Sequence, residues 1–328
     1  MYKVSIIIPV YNVAPYIKEC LRSVMRQTYK GTLECLVVDD CGTDASIEIA
    51  ERVIGSYNGP ISFHIIHHER NRGLSAARNT GLSQAKGEFI YYLDSDDEIT
   101  EDCIEKLMTP VLQNPDIEIV QGNANRYSHR HSEPLVQSNK EIRLCYYHER
   151  LIPVTAWNKL CKRSFLQRNQ LLFKEGLLWE DSHWLFFVLK YVTNVFFVSD
   201  VTYLYKRRPS SIVTGTDKRT YAKHRAVFFN DVLTNLTPHD ERSELKYFIT
   251  EFSHQYSKFV RELPEYRDLF KLFWEKAKEH KAYSLRVRLM IGYILGLFKW
   301  GWLLSVLYKR VIHPSLIIDD LRRICRGY

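Results

Sequence analysis

No two cysteines in this chain are spaced as CxxC. The seven, Cys20, Cys35, Cys41, Cys103, Cys145, Cys161 and Cys325, are scattered and odd in number. That argues against a zinc cluster or a disulfide framework and fits a reducing compartment. Glycine-rich phosphate loops are missing too. The turn after the first apolar run reads Pro9-Val-Tyr-Asn12, with no GxGxxG, and no GxxxxGK[ST] occurs. A Rossmann dehydrogenase and a P-loop NTPase are therefore disfavoured. The absence of a GxSxG elbow argues against an α/β-hydrolase. With no HExxH, His64, His67, His68, His129, His131 and His148 read as surface or loop residues. The apolar run before Pro9 is too short for a signal-peptide core, so the N-terminal part is expected to stay in the cytoplasm. Internal repeats and low-complexity tracts are absent as well.

What is present is ordinary globular material: 328 residues, 45% hydrophobic and 26% charged, with 46 Lys+Arg against 38 Asp+Glu. A net charge of +8 first suggests nucleic acid. Its distribution argues otherwise. Residues 1–215 hold 25 basic and 25 acidic residues, whereas residues 281–328 hold 9 basic and 2 acidic. The excess belongs to the tail, where a long apolar run interrupts it.

The first 125 residues alternate strand-like and helix-like segments. Strands are expected at Val4–Pro9, Leu33–Val38, Ile61–His67, Phe89–Leu93 and Ile117–Val120. Helices are expected from Val13 to Val24 and over Ala45–Ile54 (with Asp44 as cap), Ser75–Ala85 and Thr100–Leu112. Such alternation gives a parallel sheet wrapped by helices. Residues 126–150 read as a polar excursion. Trp157–Leu166 and Asp181–Tyr191 read as helices, and Val195–Val198 and Val201–Tyr205 as two short strands. From about 216 the pattern turns helical and basic.

Ligands of open α/β sheets sit at the carboxyl ends of the strands. Three polar clusters fall there: Tyr11-Asn12, Asp39-Asp40 and Asp94-Ser-Asp96-Asp97. Paired carboxylates on a turn suit Mg²⁺ or Mn²⁺ with a diphosphate, although Asp-rich turns also precede helices. Asn71–Asn79 carries Arg72 and Arg78 at a helix start, suited to phosphate or equally to a Ser75-capped helix with solvated arginines. Glu180-Asp181 lies among apolar and aromatic neighbours. Burial there would raise a carboxyl pKa toward that of a general base, and one acid could also cap the following helix. Lys206-Arg207-Arg208 could touch diphosphate or simply form a solvated turn.

Taken together, Ile-Ile-Pro-Val-Tyr-Asn at 7–12, Val-Asp-Asp-Cys-Gly-Thr-Asp at 38–44, Asn-Arg-Gly-Leu-Ser-Ala-Ala-Arg-Asn at 71–79, Asp-Ser-Asp-Asp at 94–97, Trp-Asn-Lys-Leu at 157–160 and Trp-Glu-Asp at 179–181 resemble a family-2 glycosyltransferase of the GT-A fold. The likeness runs over about the first 215 residues. Cys41-Gly42-Thr43 departs from the family's usual Gly-Ser-Thr but keeps the acids. The resemblance implies an inverting transfer from a nucleotide-sugar donor, UDP-linked by preference, to an acceptor hydroxyl. It puts Pro9, Tyr11, Asp39, Arg78 and Asp94 on the donor side. Tyr11 and Asp39 would hold the base, Asp94 the ribose, Asp96 the divalent metal (Mn²⁺ or Mg²⁺), and Asp181 would be the general base. The domains implied are a GT-A catalytic domain at 1–215 and a basic helical region at 216–328. The rival readings are a non-catalytic nucleotide-sugar-binding assembly partner and a tail-mediated nucleic-acid binder.

Leu289–Tyr308 has 20 residues and a single charge, Lys299. That length just spans a bilayer, but the central lysine and the basic residues on both flanks fit an in-plane or hairpin helix better. A buried helix is the alternative. The sequence therefore suggests an enzyme peripheral on the inner face of the cell membrane, extending a glycan or lipid-linked acceptor on an anionic surface, with no nucleic-acid partner.

Overall fold

The computed structural model describes residues 3–126, 134–147, 152–207, 216–236, 242–259, 263, 265–282 and 289. The chain forms two units, Met1–Thr214 and Gly215–Tyr328.

The first unit is built on a sheet whose strands lie in the order β3 (Ser62–His67), β2 (Leu33–Asp39), β1 (Val4–Val10), β4 (Phe89–Tyr92), β8 (Lys159–Lys162), β6 (Ile119–Ala124), β9 (Val195–Leu204) and β5 (Glu98–Ile99). Strands β1 (Val4–Val10), β2 (Leu33–Asp39), β3 (Ser62–His67) and β4 (Phe89–Tyr92) run parallel. Between them lie α1 (Ile17–Met25), α2 (Ser46–Gly55) and α3 (Leu74–Gln84). Strands β1, β2 and β4 are buried on both faces because both are covered, while β3 at the edge is partly exposed. Val4, Ile6, Ile8 and Val10 of β1 join a core with Ile17, Cys20, Leu21 and Val24 of α1. Ile7 points the other way, onto Gly81 of α3. Successive β-residues face opposite sides, so one strand serves both layers.

Chain order moves outward from β1 to β2 to β3 and then returns to the other side of β1 as β4. This reversal is the switch point at which open α/β sheets bind ligands. The β1–β4 ladder ends at Ile7 and Tyr92, so Pro9, which has no N–H to give, sits where β1 pairs only with β2.

The remainder of the unit departs from the sequence expectations. Trp157–Leu166 is not one helix. Lys159–Lys162 is a strand, β8, inserted antiparallel between β4 and β6 (Ile119–Ala124), and only Arg163–Arg168 (α6) is helical. Asn158, in left-handed backbone at φ 59°, breaks any helix before it starts. The two short strands expected at 195–205 are one, β9 (Val195–Leu204), carried across exposed Ser199-Asp200 by a register shift opposite β6. Within the polar excursion lie β7 (Leu135–Val136) and α5 (Asn139–Tyr147). A short β5 (Glu98–Ile99) precedes α4 (Cys103–Gln113), which begins three residues later than expected, and α7 is Glu180–Tyr191. Asp44 holds the start of α2 by accepting from the Ser46 amide at 3.0 Å. Ser75 does not cap α3: Gly73 takes that position at φ 87°, and the buried Ser75 hydroxyl makes no hydrogen bond.

In the second unit, α8 (Lys218–Asn235), α9 (Arg242–Phe259) and α10 (Glu265–Glu279) pack around aromatic rings. Phe252 lies 4.4 Å from Phe273 and 5.4 Å from Phe229, centroid to centroid. Asp217 caps α8 through the Arg219 and Thr220 amides. Among the described residues no helix is long and apolar enough to cross a membrane. The 289–308 segment lies outside the described residues except for Leu289, which is buried.

Candidate active site

The carboxyl ends of β1, β2 and β4 bring the three polar clusters to one edge. Asn12 and Cys41 both adopt positive φ, at 51° and 59°, and turn the chain out of β1 and β2. The two turns interlock: the Asn12 side-chain oxygen accepts from the Thr43 amide at 2.7 Å, and a Cβ on Gly42 would come within 3.1 Å of the Asn12 backbone. Tyr11 remains 46% exposed beside them. Asp39, the last residue of β2, accepts from the Cys41 amide (3.0 Å) and lies 2.9 Å from His67 Nδ1 on β3.

Asp40 is buried and fully engaged. It accepts from the Arg72 and Gly73 amides at 2.8 and 2.7 Å and meets His68 Nδ1 at 2.7 Å. His68, read from sequence as a surface residue, is thus a buried strut whose other ring nitrogen meets Thr80 Oγ1.

Arg78 is the centre of the site. It projects from α3, is 1% exposed, and has three acidic partners. Nη2 donates to Asp94 Oδ1 (2.8 Å), and Nη1 to Glu180 Oε1 (2.6 Å) and Asp181 Oδ1 (2.8 Å). The guanidinium also sits over the Phe173 ring, 5.1 Å from its centroid. Phe173 is held by the next residue of α3, since the Asn79 amide both donates to its carbonyl and accepts from its N–H. Adjacent residues of one helix therefore anchor the segment leading to α7 and bind the acids at its start. Trp179, at φ 58°, turns the chain into that helix, placing Glu180 and Asp181 in its first turn, where the helix dipole favours negative charge.

One buried guanidinium cannot fully compensate three carboxylates. Burial and the neighbouring Asp181 push Glu180 up to about 7 despite Arg78. Burial likewise raises Asp181, opposed by the Arg78 charge. Arg78 itself is held firmly protonated by the acids around it, against the effect of burial.

Asp94, Asp96 and Asp97 place carboxylate oxygens within 4.8 Å of one another. Hard oxygen donors at this spacing fit Mg²⁺ or Mn²⁺. Asp97 is already committed: Oδ1 accepts from the Lys206 amide at 2.7 Å and Oδ2 from the Tyr203 hydroxyl at 2.8 Å. Burial and the charges of Asp94 and Asp96 push it up to about 8. It braces the turn, and a cation beside Asp94 and Asp96 would relieve the clustered negative charge. Lys206 also pairs with Glu98.

The structure brings Arg78, Asp94 and Asp181 into direct contact and sets Asp96 beside Asp94. It puts Tyr11 and Asp39 on the neighbouring strand ends, and Pro9 inside β1. Sequence reasoning gave no role to the bracing of Asp97, to Glu180 as an Arg78 partner, to His67, or to Lys159. The aromatic, apolar setting of Glu180 was the available signal. Lys159 lay within the Trp-Asn-Lys-Leu motif at 157–160, whereas the contact of His67 with Asp39 has no local pattern.

A mostly parallel α/β sheet with an acidic turn at its switch point is a GT-A-like fold. Residues 5–169 match Glycosyl transferase family 2, and the chain belongs to that family and is a glycosyltransferase. It is 32% identical over 232 residues to the uncharacterized glycosyltransferase EpsJ of Bacillus subtilis, a match covering 67% of this chain and 66% of EpsJ. Among solved structures, TarS 1–349 of S. aureus in complex with UDP-GlcNAc superposes with a TM-score of 0.69 at 21% identity, over 90% of each chain. The mannosyltransferase PcManGT of Pyrobaculum calidifontis, in complex with GDP-Man and Mn²⁺, gives 0.55 at 19% identity, over 94% of this chain and 86% of that one.

Proposed function

We propose that this glycosyltransferase moves a sugar from a nucleoside diphosphate, UDP in the first instance, to an acceptor hydroxyl with inversion, and that the acceptor is a lipid-linked oligosaccharide at an anionic membrane surface. The observation that carries the catalytic part is the Arg78 bridge, which ties the donor-side Asp94 to Asp181 through one buried side chain. In this reading Tyr11 and Asp39 hold the base, and Asp94 and Asp96 the ribose and a divalent cation. The cation supplies compensation for the negative charge gained by the departing diphosphate.

Asp181 accepts the proton of the acceptor hydroxyl as its oxygen attacks the anomeric carbon and the bond to diphosphate breaks. A single displacement needs one base and inverts the centre. Burial raises the Asp181 carboxyl and makes it a stronger proton acceptor, opposed by the Arg78 charge. Arg78 orients the carboxylate and keeps enough positive charge beside it for ionisation. Glu180 accepts from the same guanidinium nitrogen as Asp181, and Asp94 from the other. Intact Asp94, Asp96 and Asp181 disfavour a purely binding role. Support for the lipid-linked acceptor is the basic, apolar, aromatic composition of residues 281–328.

The test is hydrolysis of a panel of nucleotide sugars with and without Mn²⁺. We expect one donor to be hydrolysed in a metal-dependent way. Asp181→Asn should bind UDP and Mn²⁺ normally while turnover falls by ~10²–10⁴-fold. Full turnover in that variant removes Asp181 from the chemistry.

A further inference from the structure

Three neighbouring parallel strands end side by side at the edge of the sheet that carries the site. In register across them, Val10 of β1 lies opposite Asp39 of β2, and Asp39 opposite His67 of β3. Tyr11 follows Val10 directly. A phenol, a carboxylate and an imidazole therefore stand on adjacent strand ends, one strand spacing of about 4.8 Å apart. The proposed reaction uses the first two and gives His67 no part.

His67 nevertheless acts on Asp39. Its Nδ1 lies 2.9 Å from Asp39 Oδ2, while Oδ1 accepts from the Cys41 amide at 3.0 Å. A carboxylate only accepts, so Nδ1 carries the hydrogen of this pair whether the imidazole is neutral or charged. Each carboxylate oxygen is thus held by one donor and keeps a lone pair for another. The next residues along both strands show the contrast. Asp40 and His68 also pair, at 2.7 Å, but both side chains are buried and the imidazole goes on to Thr80 of α3, so that pair builds the fold. The His67 side chain is 55% exposed. An ion pair that open contributes little to folding. What it does instead is fix the direction of a carboxylate beside the exposed Tyr11.

A fixed, acceptor-only carboxylate is selective among nucleobases. On their pairing edges the ring nitrogen carries a hydrogen in uracil and guanine, and a lone pair in cytosine and adenine. A fixed acceptor pairs with the first two and meets a lone pair in the others. A carboxylate able to rotate would instead reach the exocyclic amino group that cytosine and adenine offer. A site built to bond a substrate N–H discriminates strongly against the analogue lacking it.

We propose that His67 is a positioning residue for nucleobase selection: its Nδ1–H locks Asp39 toward the base, so that a uridine or guanosine diphosphate is taken over a cytidine or adenosine diphosphate. This rests on the reading of Asp39 as a base-holding residue.

Calorimetric titration of the full chain with UDP, GDP, CDP and ADP in Mn²⁺ reads the preference, with inorganic diphosphate and Mn²⁺ as the control for the phosphate side. Wild type is expected to bind UDP or GDP at least about tenfold more tightly than CDP and ADP. In His67→Ala the preferred nucleotide should weaken about five- to tenfold, while CDP, ADP and diphosphate stay within about twofold. For the fastest-hydrolysed donor, KM should rise in step and kcat hold within about twofold, as when binding alone is lost. His67→Phe, which keeps a ring and removes the donor, should lose the preference equally. His67→Asn, whose amide can place an N–H near the Nδ1 position, should recover most of it. Wild type with no preference for UDP or GDP overturns the proposal. So does His67→Ala with an unchanged preference, and so does equal weakening of all four nucleotides and diphosphate, which marks a general structural role. Asp39→Asn separates the two readings. If it weakens the preferred nucleotide and His67→Ala does not, His67 fails and Asp39 stands. If it changes no affinity, the base-holding reading is wrong and the proposal falls with it.

Discussion

Glu34 shows how much a single buried carboxylate can hold at the end of the sheet opposite the site. It faces Ser5 across the β1–β2 ladder and accepts from the Ser5 hydroxyl (2.5 Å), the Lys86 amide (2.7 Å) and the Gly87 amide (3.1 Å), with the Lys3 ammonium at 2.8 Å. Burial pushes its carboxyl up, but Lys3, Ser5 and the Lys86 amide together outweigh that and hold it below the usual carboxylate range. A depressed pKa means that the folded state favours the charged form. The stability it contributes is complete above the unfolded carboxyl's pKa of about 4.3 and is lost as the pH falls through the lower folded value. Glu34→Ala leaves buried donors without an acceptor and should lower stability by roughly 2–4 kcal/mol at pH 7. Denaturant unfolding at pH 7 checks this, and a difference from wild type that narrows on acidification checks the sign. Nothing around Glu34 in the sequence singles it out. Its partners lie on β1 and on the approach to β4, and only pairing of the strands reveals them.

At the scale of elements, α3 does the most for the site. Its middle supplies Arg78 and Asn79, and Gly81, on the same face as Arg78, lies directly on β1. A Cβ there would meet Ile7 Cγ2 at 2.3 Å, and Ile7 is wholly buried on a central strand with no room to retreat. Gly81→Ala should therefore destabilise the protein by about 1–3 kcal/mol through overpacking, despite the better helix propensity of alanine. A lowered Tm checks it, and an unchanged or raised Tm would mean that α3 can lift from the sheet without cost. The Ala-rich run at 75–77 made the helix legible in the sequence, as β-branched runs did for β1 to β3. What misled was β8, four residues long and followed at once by α6. A segment that short shows neither the alternation of a strand nor its length, and its place between β4 and β6 is a long-range fact.

For the whole molecule, the distribution of charge carries more than its sum. Residues 1–215 balance to zero while Asp39, Asp40, Asp94, Asp96 and Asp97 gather at one sheet edge; the excess lies beyond. Full-length protein is expected to pellet with phosphatidylglycerol-containing vesicles, and a chain ending at Ala282 should stay in the supernatant. Equal pelleting of the two would remove the tail from any membrane role.

The sequence by itself determined the class of fold, the positions of its parallel strands along the chain and the identity of the acids at their ends, because hydrophobic period and turn chemistry are local. It placed Asp94, Asp96 and Asp181 on turns and helix starts without saying which of them meet. Only the tertiary structure decided that Arg78 joins Asp94 to Asp181, that Asp97 braces the turn, that His68 is buried, and that the buried Lys159 ammonium holds the Pro153 and Thr155 carbonyls. Each of these depends on groups far apart in the chain being driven together out of water. A buried charge must find a partner wherever the fold puts one, and local pattern carries no record of where that will be.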